Sequence, residues 1–236
     1  MEQTYLDCLA KLGVGGAHPG GLQLSRQLLS KEDIHADMSI LDVGCGTGQT
    51  VSYIAQHYPC RVIAMDNDER MVKKCKQRIA ENGLSIDITQ NNAENLPLSD
   101  NTIDIILAES IIAFTDAEQT IKEFRRVLKP GGRMLAIEVS KLGLLQPEEE
   151  KMICDFYGFT SLRTSYEWHS LLTAGGFSEI DMRESSIAFI QLDPEDAPDF
   201  RIDNDIETEC FDMLGEHEHL TKAYQDELSY QVFRCK

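Results

Sequence analysis

The clearest chemical signature in the chain is an acid followed by three alternating glycines, Asp-Val-Gly-Cys-Gly-Thr-Gly at 42–48. The apolar residues just before it suit a buried parallel strand, and residues 49–57 have the pattern of a helix. Glycines let the backbone approach a ligand closely, and the free amides at the start of a helix attract its polar groups. The run therefore predicts a binding turn for a nucleotide-type ligand. The alternative is a tight strand-to-helix turn that binds nothing.

The glycine spacing separates one kind of nucleotide site from another. A dinucleotide fingerprint requires its third glycine three places after the second. At that distance Gln49 follows Gly46, and Val51 follows Gly48. The spacing therefore argues against a nicotinamide-binding oxidoreductase.

Two further apolar runs also end in an acid. Residues 60–66 end at Asp66, which lies 24 positions after Asp42. A carboxylate there can accept hydrogen bonds from both hydroxyls of a ribose lying across the glycine turn, and Asn67 is a weaker candidate for the same contact. Residues 102–110 form the most continuous apolar run and predict a central strand, which ends at Glu109.

Three segments together resemble the class I S-adenosylmethionine (SAM)-dependent methyltransferases. The run at 42–48 resembles the first motif of that family. Asn-Asn-Ala-Glu-Asn-Leu-Pro-Leu at 91–98 resembles its Gly-Asp-Ala-Glu-x-Leu-Pro-Phe, and 124–132 resembles its Arg-x-Leu-Lys-Pro-Gly-Gly. The resemblance covers roughly residues 38–180. It implies that SAM is the cofactor and that the activity is methyl transfer.

The resemblance also implies which residues contact the methyl donor. Asn92 stands where the family usually has Asp, and its amide oxygen can still accept a hydrogen bond from the adenine amino group. The next backbone amide, of Ala93, would meet a ring nitrogen. Glu109 either faces the ammonium or sulfonium of the cofactor or caps the following helix. The predicted cofactor-binding residues are Asp42, Gly44, Cys45, Gly46, Gly48, Asp66, Asn67, Asn92, Ala93, Glu94 and Glu109.

Alternating strand and helix patterns predict an α/β fold. We expect a three-layer Rossmann-like sandwich, with a seven-stranded, mostly parallel sheet, one antiparallel strand near the C-terminus and helices on both faces. Residues 1–37 are predicted to form an N-terminal helical cap with a glycine-rich loop, and 38–236 the methyltransferase domain, with inserts at 141–163 and 193–228. Helical pieces are expected at 203–214 and 216–228. The first insert is a candidate lid over the ligand crevice, and the second either covers the substrate site or mediates dimerisation.

The glycine-rich segment 13–21 is either a flexible linker or a cap that folds over the ligand. As a cap it would bring His18 and Tyr5 to the methyl-transfer cavity, and these are the predicted catalytic residues. A general base is needed only for an acceptor such as a hydroxyl. No metal site is predicted, because the histidines of Glu-His-Glu-His at 216–219 are two residues apart instead of the helical four.

The composition of the chain limits the kinds of molecule that it can be expected to bind. The net charge is −18, from 22 Lys plus Arg against 40 Asp plus Glu, which argues against nucleic acid. The basic cluster at 73–78 is expected on the solvated face of a helix. No apolar run approaches the roughly 18 residues of a membrane span, and the first residues lack the pattern of a signal peptide.

Seven scattered cysteines without a Cys-x-x-Cys pair suit a reducing compartment, so we expect a cytoplasmic protein, monomeric or homodimeric. The predicted function is methyl transfer from SAM to a small-molecule acceptor, which is an O, N, S or C nucleophile. The alternatives are a SAM-binding protein without turnover and, less favoured, a nicotinamide-dependent oxidoreductase.

Overall fold

The computed structural model describes residues 3–143, 145–187 and 197–236. Seven strands form one sheet in the order β3-β2-β1-β4-β5-β7-β6. The strands β1 to β5 are mutually parallel, and β7 runs antiparallel to β5 and to β6. The predicted sheet is confirmed, including its antiparallel strand near the C-terminus. The strand bounds are β1 Ser39–Val43, β2 Arg61–Asp66, β3 Asp87–Gln90, β4 Ile103–Glu109, β5 Leu128–Lys141, β6 Ile180–Ser186 and β7 Leu228–Cys235.

Helices cover both faces of the sheet. Because side chains alternate along a strand, Leu41 and Val43 of β1 face one layer and Ile40 faces the other. Among the described residues, no helix has both the length and the apolar composition needed to cross a membrane. The helix bounds are α1 Tyr5–Leu12, α2 Gly21–Leu29, α3 Gln49–His57, α4 Glu69–Glu81, α5 Ala117–Val127, α6 Pro147–Tyr157, α7 Ser165–Ala174 and α8 Thr208–Ala223, with a short 3-10 turn at Ile112–Phe114.

The central position of β4 follows from its composition. It is the fourth of seven strands, and the side chains of residues 105–108 are almost fully buried. A strand covered on both faces and paired on both edges has no position that meets water, which explains its continuous apolar run. The prediction that β4 is central is confirmed.

The second predicted insert differs from the expectation in its helices. Two pieces, 203–214 and 216–228, were predicted on either side of Gly215, whereas the structure has the single helix α8. Gly215 lies in open space, and one glycine costs a helix only about 1 kcal/mol. The buried residues Cys210 and Leu220 anchor α8 on either side of that glycine. Residues 188–196, which include the start of the predicted insert at 193–228, lie outside the described residues.

The glycine-rich loop is held by a segment far from it in sequence. Residues 198–203, which we call the strap, run antiparallel to residues 11–15. The N–H of Gly15 donates to the carbonyl of Asp199 at 2.8 Å, and the N–H of Arg201 donates to the carbonyl of Gly13 at 3.0 Å. Gly13 has a φ of +60°, and a Cβ there would lie 2.3 Å from the Arg201 oxygen. Only glycine therefore allows the strap to lie this close.

Two buried cations of α4 bind the strap. Lys74 and Arg78 are only 7% and 8% exposed. Lys74 donates to the Arg201 carbonyl and the Asp203 carboxylate, and Arg78 pairs with Asp199 at 2.7 Å. The expectation that the whole 73–78 cluster faces solvent is wrong for these two residues. They are four positions apart, so they share the face of α4 that the strap covers.

We expect Asp199→Ala to lower the free energy of unfolding by about 1–3 kcal/mol, because it leaves the buried guanidinium of Arg78 without its carboxylate. Urea denaturation measures this change. The matched control is Asp155→Ala, which removes an exposed ion pair with Lys151 and should cost less than about 0.5 kcal/mol. Equal effects of the two substitutions would contradict a structural role for the Arg78–Asp199 pair.

A buried carboxylate positions the turn that follows β4. Glu138 on β5 is fully buried, and it accepts hydrogen bonds from the N–H groups of Ile111, Ile112 and Ala113 at 3.0, 2.8 and 3.2 Å. Burial raises the pKa of Glu138 from 4.5 to about 7, and the three N–H groups oppose that shift. The folded chain therefore binds a proton at pH values where the unfolded chain has released it.

The stability that this proton provides is lost as the pH rises from about 4.5 to about 7. Glu138→Gln cannot take up the proton. We therefore expect the unfolding free energy of the wild type, minus that of the variant, to fall between pH 5.5 and 7.5 in urea titrations. The exposed Glu118→Gln substitution on α5 is the control. A difference that rises with pH, or that matches the control, would contradict this assignment.

Candidate active site

The carboxyl ends of β1, β2 and β4 surround a cavity of about 460 Å³, which we call the first cavity. Parallel strands end at the same edge of a sheet, so residues distant in sequence meet there. Asp42, Gly48 and Glu94 do not line this cavity. The predicted site residues that do line it are His18, Gly44, Cys45, Gly46, Asp66, Asn67, Asn92, Ala93 and Glu109.

The three glycines of the turn have different surroundings. A Cβ on Gly44 would lie 2.1 Å from Ile111, and one on Gly48 would lie 2.5 Å from the sulfur of Cys75. Gly46 has a φ of +51°, and a Cβ there would meet nothing within 4 Å. Gly44 and Gly48 are therefore needed for packing, whereas the space beside Gly46 is open.

The thiol of Cys45 reinforces the contact between the glycine turn and α4. The neighbouring thiol of Cys75, and after it burial, raises the pKa of Cys45 well above its ordinary value. The Cys45 thiol is therefore protonated at neutral pH and behaves as a small packing group. Cys45 belongs to the same buried cluster as Cys75, and it also lines the first cavity.

Asp66 joins the end of β2 to the glycine turn. One carboxylate oxygen accepts the N–H of Gly46 and the other that of Asp68, both at 2.9 Å. Burial raises the pKa of Asp66, and these two N–H groups oppose the shift. Each oxygen keeps a second lone pair for a ligand. The neighbouring Asn67 also borders the cavity, and its carbonyl accepts a hydrogen bond from the side chain of Gln90 at 2.9 Å.

Glu109 is the centre of a polar network at the end of β4. Its carboxylate accepts hydrogen bonds from the hydroxyls of Ser25 and of Thr50, the latter at 2.9 Å, and it lies 3.5 Å from Nε2 of His18. Sequence reasoning missed Ser25 and Thr50. A signal for Ser25 was present, since it interrupts the apolar stripe of α2 at helical spacing.

Asp42 lies behind the wall of the cavity. It is 1% exposed, and its Oδ2 has no hydrogen-bond partner among the described residues. Burial, and after it the charge of Glu109, raises the pKa of Asp42 well above its ordinary value. Burial therefore favours the protonated form of Asp42. It supports the base of the glycine turn and has no surface on the cavity.

Asn92 lines the cavity, whereas Glu94 has a structural role. The side-chain oxygen of Asn92 accepts the N–H of Glu94 at 2.9 Å, and Asn92 stays exposed at the rim. The carboxylate of Glu94 accepts the N–H of Asp116 at 2.8 Å, just before α5. The side chain of Glu94 therefore positions a helix, whereas Asn92 and Ala93 line the cavity.

A second cavity of about 390 Å³ adjoins the first. The two share His18 and Ser110. Ser110 has a φ of +55°, a strained value for a residue with a side chain, and its buried hydroxyl has no partner within the described part of the chain. A strained serine with a free hydroxyl therefore stands at the junction of the two cavities. The other shared residues are Leu6, Leu9, Val14, Gly16, Ala17 and Phe114.

Tyr5 lies on the second cavity, next to a pair that the sequence did not predict. The Tyr157 hydroxyl and Nδ1 of His217 are 3.0 Å apart, and the ring centroids of Tyr5 and His217 are 5.6 Å apart. Burial raises the pKa of Tyr5 and lowers that of His217. The sequence placed 216–219 on an acidic surface. The missed signal was the helical spacing of Cys210, Leu214 and His217, which the assumed helix break at Gly215 concealed.

Comparisons with known proteins agree with this architecture. A family model described as a methyltransferase domain matches residues 40–132. The chain is 37% identical to the uncharacterized methyltransferase YodH of Bacillus subtilis, over 97% of each chain. It is 34% identical to the ubiquinone/menaquinone biosynthesis C-methyltransferase UbiE of Pseudoalteromonas translucida, over 59% of this chain and 56% of UbiE.

Solved structures show the same fold. The phosphoethanolamine N-methyltransferase 2 of Haemonchus contortus, in complex with S-adenosyl-L-methionine, matches with a TM-score of 0.78 at 18% identity. The match covers 98% of this chain and 57% of that protein. With a relative of 37% identity along nearly its whole length, and with the glycine turn and strand-end acids meeting at one cavity, this chain belongs to the class I SAM-dependent methyltransferases.

Proposed function

We propose that this protein transfers the methyl group of SAM to a small-molecule acceptor by direct in-line displacement, with the donor in the first cavity and the acceptor in the second. The observation that carries this proposal is the shared wall of the two cavities, which differ in character. The first is lined by the glycine turn and by acids, and the second mainly by apolar and aromatic side chains. Bound SAM supplies a methyl group activated by a positively charged sulfonium.

The residues of the first cavity fit this donor. Asp66 and Glu109 bring carboxyl groups to a ligand that carries an ammonium and a sulfonium. The spare lone pairs of Asp66 can accept the two ribose hydroxyls, and the open space at Gly46 lets the ligand approach the turn. We further propose that Asn92 and Ala93 contact the adenine. Cys45 also lines the first cavity, whereas Asp42, Gly48 and Glu94 support its wall from behind.

His18 is proposed to position the reacting groups. Its Nδ1 lies 3.2 Å from the Pro19 carbonyl, which can only accept, and its Nε2 faces Glu109 and Ser25. Both ring nitrogens therefore have partners within the protein, which favours a positioning role over that of a general base. Tyr5 is proposed to contact the acceptor, because it lines the second cavity. Enclosing the two cavities excludes water from the displacement.

The proposal is tested by a labelled-methyl assay over a panel of small molecules, with calorimetry for SAM and NAD. Binding of SAM together with methyl transfer to at least one acceptor is the expected result. Binding of SAM without transfer to any acceptor favours the alternative of a binding protein. Binding of NAD in place of SAM would contradict the proposal.

Gly46→Ala separates cofactor binding from folding. We expect at least a tenfold loss of SAM affinity, because the new methyl group occupies the open space beside the turn. Gly83→Ala is the matched control, since Gly83 has a φ of +66° and a Cβ there also meets nothing within 4 Å, but it lies outside the cavity. Both variants should unfold at similar urea concentrations. Normal SAM affinity in Gly46→Ala would contradict the assigned cofactor site.

We expect His18→Ala to lower kcat about tenfold with the acceptor that the assay identifies, because the wall between the cavities loses the group that contacts Glu109. The affinity for SAM should change much less, by less than about threefold. The exposed His35→Ala is the control. Full activity of His18→Ala would remove His18 from the mechanism.

A further inference from the structure

The second cavity differs from the first in its charge. Among its described lining residues there is no Lys, Arg, Asp or Glu. A phosphate or another anionic group would lose its hydration in this cavity. No cation and few N–H donors would be there to offset that cost. An ammonium group would likewise find no carboxylate. The described surface of this cavity therefore favours an uncharged ligand.

Five of the described residues that line this cavity are Phe or Tyr, and they lie among aliphatic side chains. The Tyr5 and Tyr157 rings meet edge to face with centroids 4.9 Å apart, and the Tyr157 and Phe159 rings stack with centroids 5.0 Å apart. Phe114 packs against Phe159 at 4.9 Å. Aromatic rings bind flat apolar ligands well, because they offer a large, rigid contact area with preferred stacked and edge-on arrangements. The wall thus suits a ligand with a ring.

The Tyr157–His217 pair is a polar site within this aromatic wall. Nδ1 of His217 is engaged by the Tyr157 hydroxyl at 3.0 Å, while Nε2 has no hydrogen-bond partner in ranges 3–143, 145–187 and 197–236. Burial lowers the pKa of His217, so the ring is a neutral imidazole at pH 7. If Nδ1 donates to the Tyr157 oxygen, Nε2 presents a lone pair, and if Nδ1 accepts from the Tyr157 hydroxyl, Nε2 presents an N–H. Either form of Nε2 can hydrogen-bond with a hydroxyl group.

The elements that build this pair lie outside the part of the chain that the methyltransferase domain model matches. Tyr157 lies on α6 and His217 on α8, and Tyr5 on α1 completes the group. All three helices contribute to one apolar cluster. Acceptor selection is therefore separated in sequence from cofactor binding, and it can be altered without touching the glycine turn.

We infer that the acceptor is an uncharged ring compound that carries a hydroxyl group, and that His217, held by Tyr157, forms a hydrogen bond with that hydroxyl. This inference rests on the proposed function, since it assigns the second cavity to the acceptor. His217 is thereby a specificity-determining residue. The two groups contribute differently, because the aromatic wall binds any ring of suitable size and His217 selects those with a hydroxyl.

The test measures binding of four probes to the full chain saturated with S-adenosylhomocysteine. The probes are 2-naphthol, naphthalene, 2-naphthyl phosphate and 2-naphthylmethylamine, which share a ring system and differ in polar group and charge. We expect 2-naphthol to bind about fivefold more tightly than naphthalene, and the two charged probes at least tenfold more weakly than 2-naphthol. A charged probe that binds as tightly as 2-naphthol, or absence of saturable binding by every probe, overturns the inference.

Variants of His217 test the assignment of the hydroxyl contact. His217→Ala should lose about fivefold in affinity for 2-naphthol and leave naphthalene unaffected, and His217→Gln should recover part of the loss. His219→Ala, exposed on the same helix, is the matched control. Equal loss for 2-naphthol and naphthalene in both His217 variants would show a structural role and overturn the assignment.

Titration with S-adenosylhomocysteine alone distinguishes the two levels of failure. If the wild-type chain does not bind it, the proposed function fails. If the wild-type chain binds it normally but prefers a charged probe, only the inference about the acceptor fails.

Discussion

The buried guanidinium of Arg78 joins the three parts of the chain on which both cavities depend. Its Nε donates to the Thr47 carbonyl in the glycine turn at 2.8 Å, and its Nη2 reaches the Asp199 carboxylate in the strap. The strap in turn pairs with the glycine-rich loop at Gly13 and Gly15. Arg78 thus links the glycine turn, which lines the first cavity, to the glycine-rich loop, which lines both cavities. A buried charge of this kind requires all its partners, because each unpaired group would pay its full desolvation cost.

The two cavities differ in the charge of the residues that line them. Asp66 and Glu109 border the first, which is the proposed site of the positively charged cofactor, whereas the described wall of the second contains no Lys, Arg, Asp or Glu. Ser110 stands between them, with a strained backbone and a free buried hydroxyl. Strain of this kind persists only where the surrounding structure enforces it, and here β4 and the turn held by Glu138 do so on either side.

Much of the first cavity could be predicted from local sequence. Gly46 and Asp66 were identified because a glycine turn after one strand and an acid after the next are short patterns, and parallel strands must end at the same edge. The same reasoning assigned Glu94 to the cofactor, whereas its carboxylate positions α5. Ser25, Thr50, Tyr157 and His217 were missed. Each is polar at a position whose partner lies between 59 and 84 residues away in sequence.

The sequence by itself predicted the sheet and the order of its motifs, because strand periodicity and the glycine turn depend on neighbouring residues. The resemblance of those motifs to a known family implied SAM as the methyl donor. Only the tertiary structure decided that Lys74 and Arg78 are buried, since the strap that covers them comes from residues more than 100 positions further along the chain. It alone placed His217 against Tyr157 and Tyr5 as well. Contacts between distant segments depend on how whole helices pack, and no local pattern in the sequence records that packing.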